Sequence, residues 1–227
     1  MADSNVSVSQ HVSERIALPR ARVIRNGVSD AVGAGKMMEA NQSGAVCFAY
    51  VGRLVAEKGV NVLIDAASIL KKRGCNFRVL IIGDGPQRQA LKKQAATLEL
   101  AGCLEFLGFL TGDKLRAALT RVSVSIMPSI WEDAAPFSAL EQMMQGQLII
   151  GSRIGGLAEE IGDAGLTFAA GDAPELADRM QQVIKRPEWI SELGKQARER
   201  ALSLYTLERM VSEYRDLLGA SQRIPGH

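Results

Sequence analysis

Residues 45–59 read AVCFAYVGRLVAEKG, a nearly unbroken apolar run that ends in glycine and then a basic loop. A short apolar run bounded by turn residues is the signature of a strand buried on both faces, as in a parallel sheet. Four more runs of this kind follow at 77–83 (FRVLIIG), 103–109 (CLEFLGF), 122–129 (VSVSIMPS) and 147–152 (QLIIGS). Segments of helical spacing lie between them, at 59–74, 86–100, 112–121 and 135–146. Pro86 and Pro136 stand at expected first-turn positions, and Gly74 and Gly146 at expected helix stops. Alternating strands and helices predict an α/β, doubly wound parallel sheet with right-handed crossovers. The last third, from about Ala173 to Leu218, reads as helical throughout.

The beginning of the chain differs. Residues 4–9 suggest a short strand, QHVSERIAL (10–18) a helix and RARVIRNGV (20–28) a second strand, followed by a glycine-rich stretch without period that reads as a flexible linker over 29–44.

The totals narrow the function classes. At 227 residues with 27 basic and 25 acidic side chains, the chain carries a formal charge of +2, too balanced to indicate nucleic acid or an anionic membrane as its main partner. Three widely spaced cysteines, Cys47, Cys75 and Cys103, form no disulfide or zinc pattern and suit a reducing, cytoplasmic compartment. No export signal or membrane-spanning run is evident. The two histidines, His11 and His227, lie near the ends, so neither a Ser-His-Asp arrangement nor a metal cluster is expected.

In such a sheet ligands bind beyond the carboxyl ends of the strands. After the first strand come Gly52, Arg53 and Lys58, ahead of a helix whose free N–H groups attract anions; the group is either a phosphate site or a pair of solvated loop charges. After the second come Gly83, Asp84 and Gly85, without the third glycine of a dinucleotide turn; this argues against a nicotinamide dehydrogenase and for a tight turn whose ligand contacts, if any, are through the backbone. After the fourth come Glu132 and Asp133, then Pro136, whose helix would present the amides of Phe137 and Ser138. Acids beside that helix start are explained equally by capping, worth about 0.3–1 kcal/mol each. Glu141 flanks the apolar stripe of Leu140, Met143 and Met144. After the fifth strand, Gly151, Gly155 and Gly156 precede a short helix with Glu159 and Glu160 in its expected first turn.

In this order, GRLVAEKG, IIGDGPQR, FLGF, PSIWEDAAPFSALEQMMQG and GSRIGGLAEEIGDAGLTFAAGD resemble the donor-binding, C-terminal half of retaining glycosyltransferases of family 4, also called group 1, which have the GT-B architecture of two Rossmann-like domains facing a cleft. The resemblance runs over about residues 3–218. It implies transfer of a sugar from a nucleotide diphosphate sugar to an unspecified acceptor with retention of anomeric configuration, and no cofactor or metal beyond that donor. In that reading Arg53 and Lys58 hold the diphosphate and stabilise the charge of the leaving group. The loops at Gly52, Gly83 and Gly85 approach the donor, and the amides of Phe137 and Ser138 assist. Glu141 binds the ribose, while Gly108, Phe109 and Leu110 border the base. Gly155 and Gly156 leave room for the donor.

The family's paired acids differ by eight in numbering. Since 141 − 133 = 8, Asp133 takes the first position, facing the transferred sugar, and Glu132 is its neighbour. The family usually has glutamate there; aspartate reaches about 1.5 Å less, one carbon–carbon bond.

The same resemblance assigns residues 1–28 to the end of an N-terminal acceptor domain, 45–205 to the nucleotide-sugar-binding domain, 206–218 to a helix crossing back to that other domain, and 219–227 to a tail. The N-terminal domain is thus an expected partner and the sole expected route to peripheral membrane association. Without it the chain is expected to be inactive or nearly so, with exposed apolar surface on the N-terminal segment and the last helix. The alternative is a non-catalytic remnant that uses the same fold to hold a nucleotide or a partner.

Overall fold

The computed structural model describes residues 4–30 and 44–221. A small N-terminal unit comprises β1 (Asn5–Ser7), α1 (Gln10–Ile16) and β2 (Ala21–Val23), with β1 and β2 paired in parallel. Ser9 caps α1, its hydroxyl accepting from the Val12 N–H at 3.3 Å. Most of the expected 29–44 linker lies outside the described residues.

The main sheet alternates with helices: β3 (Val46–Val51), α2 (Val60–Lys72), β4 (Phe77–Ile82), α3 (Arg88–Thr97), β5 (Leu104–Gly108), α4 (Gly112–Leu119), β6 (Val124–Met127), α5 (Phe137–Met144), β7 (Leu148–Ser152), α6 (Gly155–Ile161) and β8 (Leu166–Phe168). The strand order is β5-β4-β3-β6-β7-β8, all parallel, the doubly wound sheet expected from the apolar runs. The first strand of this sheet is central, and the chain winds outward from it on one side and then on the other. The order therefore reverses between β3 and β6, whose carboxyl ends diverge and leave a crevice.

The apolar runs are buried for the reason their composition suggests. β3 has Val46, Cys47, Phe48, Ala49 and Tyr50 all buried, because helices cover both faces. On one face Phe48, Val79, Ile81 and Val124 pack with Leu63, Ala67 and Leu70 of α2. On the other, Cys47, Ala49, Leu80 and Ile82 pack with Ala118 of α4 and Val122. α2 stops at Gly74 and α5 at Gly146, where φ of +69° and +73° suit a residue without a Cβ.

Three details differ from the sequence reading. β8 is a sixth strand in the main sheet, only three residues long and too brief to show a period. Neither proline lies inside its helix: Pro136 is the N-cap of α5, and Pro86 precedes the N-cap Gln87 of α3. Glu159 and Glu160 are in the second turn of α6 rather than its first, because that helix begins already at Gly155.

After the sheet come α7 (Ala173–Lys185), α8 (Glu188–Leu204) and α9 (Leu207–Ser221), the last extending three residues past the expected 206–218. The N-terminal unit joins the body where Val28 pairs with Thr206: the Val28 N–H donates to Tyr205 O at 2.8 Å, and the Leu207 N–H donates to Val28 O at 3.1 Å. Exposed apolar side chains occur on this unit (Ile16, Leu18) and on α9 (Leu207, Val211, Leu218).

Phe48 is fully buried at the centre of the larger cluster. Replacing it with alanine should cost about 3–5 kcal/mol of unfolding free energy, read as a lower urea midpoint with little change in slope.

Candidate functional site

Two loops form the walls of the crevice between β3 and β6. The first, residues 52–59, leaves β3 through Gly52 and includes a turn of 3-10 helix at Ala56–Lys58. The buried Tyr50 hydroxyl donates to Arg53 O at 2.7 Å, and burial raises its pKa, so it stays a donor. Gly52 is required there, because an added Cβ would lie 2.7 Å from that hydroxyl. Gly59, at φ +62°, permits the second wall to approach: a Cβ on it would lie 2.0 Å from Pro128 O.

The second wall, residues 128–135, is attached on several sides. The Ile130 N–H donates to Glu57 O at 2.9 Å, and the fully buried Ser152 hydroxyl donates to Ser129 O at 2.6 Å. The Gly156 N–H donates to Asp133 O at 2.9 Å, and Asn26 Nδ2 to Ala135 O at 3.3 Å. These bonds bring Asp133 to the opposite wall, where its Oδ2 accepts from Lys58 Nζ at 2.8 Å. Both side chains are about one-third exposed, so the pair lies at the mouth of the crevice and contributes about 0–1 kcal/mol to stability.

Around this pair the expected residues fall into two groups. Arg53 is exposed on the first wall, and among the described residues no carboxylate pairs with it. Phe137 and Ser138 begin α5 directly after the second wall. Their N–H groups have no carbonyl one turn earlier in the helix, whereas the Ala139 N–H is taken by Pro136 O at 2.9 Å. Glu141 is exposed on α5, and no ion pair engages it among the described residues. Gly83 links two strand ends, its N–H donating to Gly108 O at 2.8 Å; a Cβ on it would lie 1.8 Å from Gly52 O. Gly85 likewise makes room for Leu54 O, so the Gly83–Gly85 segment is a tight backbone turn, with Asp84 paired to Arg88 at 3.0 Å. Phe109 projects beyond β5 at 74% exposure.

The second group comprises Leu110 and the two glycines of α6. Leu110, partly buried, packs against the cluster of Cys47, Ala49, Leu80 and Ile82. At Gly155 and Gly156 an added Cβ would meet the second wall's backbone, 2.8 Å from Asp133 O and 1.9 Å from Ala134 O. Their small size lets α6 meet that loop.

Three contributions escaped the sequence reading. Trp131, on the second wall, is 71% exposed, an unusual position for a large apolar ring. Glu132 reaches away from the crevice, pairing with Arg15 of α1 and approaching His11 Nε2 at 3.7 Å. Glu160, expected in the first turn of its helix as a cap or a ligand contact, is only 2% exposed, and neither carboxylate oxygen has a hydrogen-bond partner. Helical spacing contained the signal: Leu157, Glu160, Ile161 and Ala164 fall at i, i+3, i+4 and i+7 and place the acid on the apolar face. Burial, then the nearby charges of Asp133 and Glu159, push its pKa up to about 9.

Residues 38–200 match the Glycosyl transferases group 1 family, well over half of the chain. The chain belongs to this family of glycosyltransferases. It is 30% identical over 187 residues to the 2-deoxystreptamine glucosyltransferase of Streptomyces kanamyceticus, covering 77% of this chain and 48% of that relative. Its fold superimposes on sucrose-phosphate synthase from Thermosynechococcus elongatus with a TM-score of 0.79 at 23% identity, over 97% of this chain and 59% of the other. Anabaena Alr3699/HepE, solved in complex with UDP-glucose, matches with a TM-score of 0.78 at 19% identity, over 97% and 64%. The group 1 chain described here thus has the Rossmann-like α/β fold of GT-B glycosyltransferases and spans about half the length of the curated relatives it matches. Among its described residues no helix is long and apolar enough to cross a membrane, and no group of three or more His, Cys, Asp or Glu is placed to hold a metal ion.

The buried acid gives a pH test. Glu160 is protonated in the folded state below about pH 9 but ionises near pH 4.5 when unfolded, so between these values the folded state binds the extra proton and stability falls as pH rises. Asp133 and Glu159 add negative charge near the carboxyl group, and Arg200 Nε donates only to the Glu160 backbone oxygen, at 2.9 Å. Glu160→Gln should leave stability nearly unchanged at pH 4.5 and raise it by on the order of 3 kcal/mol at pH 8, measured by urea unfolding at the two pH values. A variant less stable than wild type at pH 8 would contradict the assignment.

Proposed function

We propose that this chain is the donor-binding part of a retaining glycosyltransferase, which transfers a sugar from a nucleoside diphosphate sugar to an acceptor held by an N-terminal domain. The observation that carries the reading is the Lys58–Asp133 pair, 2.8 Å apart across the topological switch point, with the unpaired Arg53 on the same wall as Lys58. An exposed ion pair is easily exchanged. When a diphosphate enters, Lys58 trades Asp133 for a phosphate oxygen, Arg53 supplies a second charge, and Asp133 is released to accept from hydroxyls of the sugar.

The free Phe137 and Ser138 N–H groups add partial positive charge from the start of α5. Glu141 accepts from the ribose hydroxyls, and Gly108 with Phe109 borders the base. As the bond between the sugar's anomeric carbon and the diphosphate oxygen breaks, negative charge grows on the leaving phosphate. Arg53 and Lys58 stabilise that charge as it develops, which lowers the barrier. Retention requires the acceptor to bond to the face the diphosphate leaves, so the acceptor must be delivered into the same crevice. Closure of an N-terminal domain over the crevice supplies it and excludes water. Three free cysteines suit a cytoplasmic setting.

Titration calorimetry of the chain with UDP, GDP and ADP tests the donor site, UDP first because Anabaena Alr3699/HepE was solved with UDP-glucose. One nucleotide should bind, and Arg53→Ala should weaken it roughly 10- to 100-fold, the size of a lost charge-assisted hydrogen bond. Wild-type protein that binds none of the three would defeat the proposal.

A further inference from the structure

Glu132 is the acid that spacing sets aside, yet it is the acid that the fold connects to the N-terminal unit. Its carboxylate pairs with Arg15 and lies 3.7 Å from His11 Nε2, both on α1. The Arg15 guanidinium holds the Glu132 carboxyl below the usual carboxylate range. The same helix is attached to α6, because Glu159 accepts from the His11 N–H at 3.1 Å and also pairs with Arg25 at 3.1 Å. Asn26 Nδ2 adds a bond to Ala135 O at 3.3 Å. Residues 9–26 therefore grip the second wall of the crevice at both 132 and 135, on either side of Asp133.

The geometry has a direct mechanical meaning. The Ser129, Ile130 and Asp133 backbone bonds attach that wall to the sheet, to the first wall and to α6, while the Glu132 side chain is its side-chain link to α1. Adjacent residues in a short loop share one peptide plane, so restraining Glu132 restricts the backbone torsions that aim Asp133. We infer that Glu132 is a positioning residue for the sugar end of the donor site, turning Asp133 toward the crevice by tying its loop to Arg15. The inference rests on the donor-site reading and extends it: whatever moves α1 also re-aims Asp133. The Arg15–Glu132 contact is exposed, so it adds little to global stability, and its loss alters the loop rather than the fold.

The test compares a nucleotide sugar with its own nucleoside diphosphate, since only the former brings sugar hydroxyls to Asp133. Affinities of the whole chain for UDP-glucose and UDP, GDP-mannose and GDP, and ADP-glucose and ADP are measured by calorimetry, with melting temperatures alongside. Glu132→Gln should weaken binding of the preferred nucleotide sugar roughly three- to tenfold, the range of one neutral hydrogen bond, while leaving the nucleoside diphosphate and the melting temperature unchanged. Reversing the pair in one protein, Arg15→Glu with Glu132→Arg, should recover most of the loss. Unchanged affinity for the sugar in Glu132→Gln overturns the inference. So does an equal fall for both ligands with a lower melting temperature, which marks a purely structural role, and so does failure of the reversed pair. Absence of any binding by the wild type overturns the donor-site reading and this inference together, which separates the two failures.

Discussion

The route of residues 128–135 is the constraint on which the site depends. The chain leaves β6 at the point where the winding of the sheet reverses, so it has no neighbouring crossover to follow and must be held by bonds of its own. A buried hydroxyl from β7, a backbone amide from α6 and a backbone carbonyl from the first wall supply them. Hydrogen bonds of this kind contribute about 0.5–1.5 kcal/mol each. Together they outweigh the exposed Lys58–Asp133 pair, which follows from the loop's position and does not create it. The arrangement leaves the charged pair free to exchange partners while the backbone beneath it stays in place.

Close backbone approach is the second requirement, and glycine meets it. Gly59 and Gly156 lie on either side of the loop, and a Cβ on either would lie within about 2 Å of a carbonyl oxygen. Gly83 does the same between β3 and β4. These residues recur at the carboxyl edge because successive strands end there at the same height and their exit loops must cross one another. The glycines of this carboxyl edge thus serve the packing of loop on loop.

Burial of Glu160 shows a compromise. A protonated carboxyl without a hydrogen-bond partner is an unfavourable occupant of an apolar helix face. It lies within electrostatic reach of Asp133 and Glu159, so its proton keeps a third negative charge away from the wall of the crevice. The remainder of that helix face, Leu157 and Ile161, packs with Met143, Met144 and Ala197 in the usual way and compensates for the acid.

Much of this was legible in the chain itself. Buried strands announce themselves by short, largely apolar runs, and the five longest show this pattern because helices cover both faces of the sheet, with Arg78 and Glu105 exposed as exceptions; β8, at three residues, has no period to read. Arg53, Lys58, Glu132 and Asp133 stand out in the sequence because their loops follow those runs, while the preference for Asp133 over Glu132 comes from the family's spacing. Tertiary structure decided what each neighbour does. It packed Leu110 against the edge of a core cluster, set the second wall's backbone beside Gly155 and Gly156, carried Glu132 away to Arg15 and buried Glu160. Sequence determines which residues arrive at the carboxyl edge, since strand and helix periods are local properties. Which side chains meet across the crevice depends on loops from segments far apart in the chain, 75 residues for Lys58 and Asp133, and only the packed chain brings them within bonding distance.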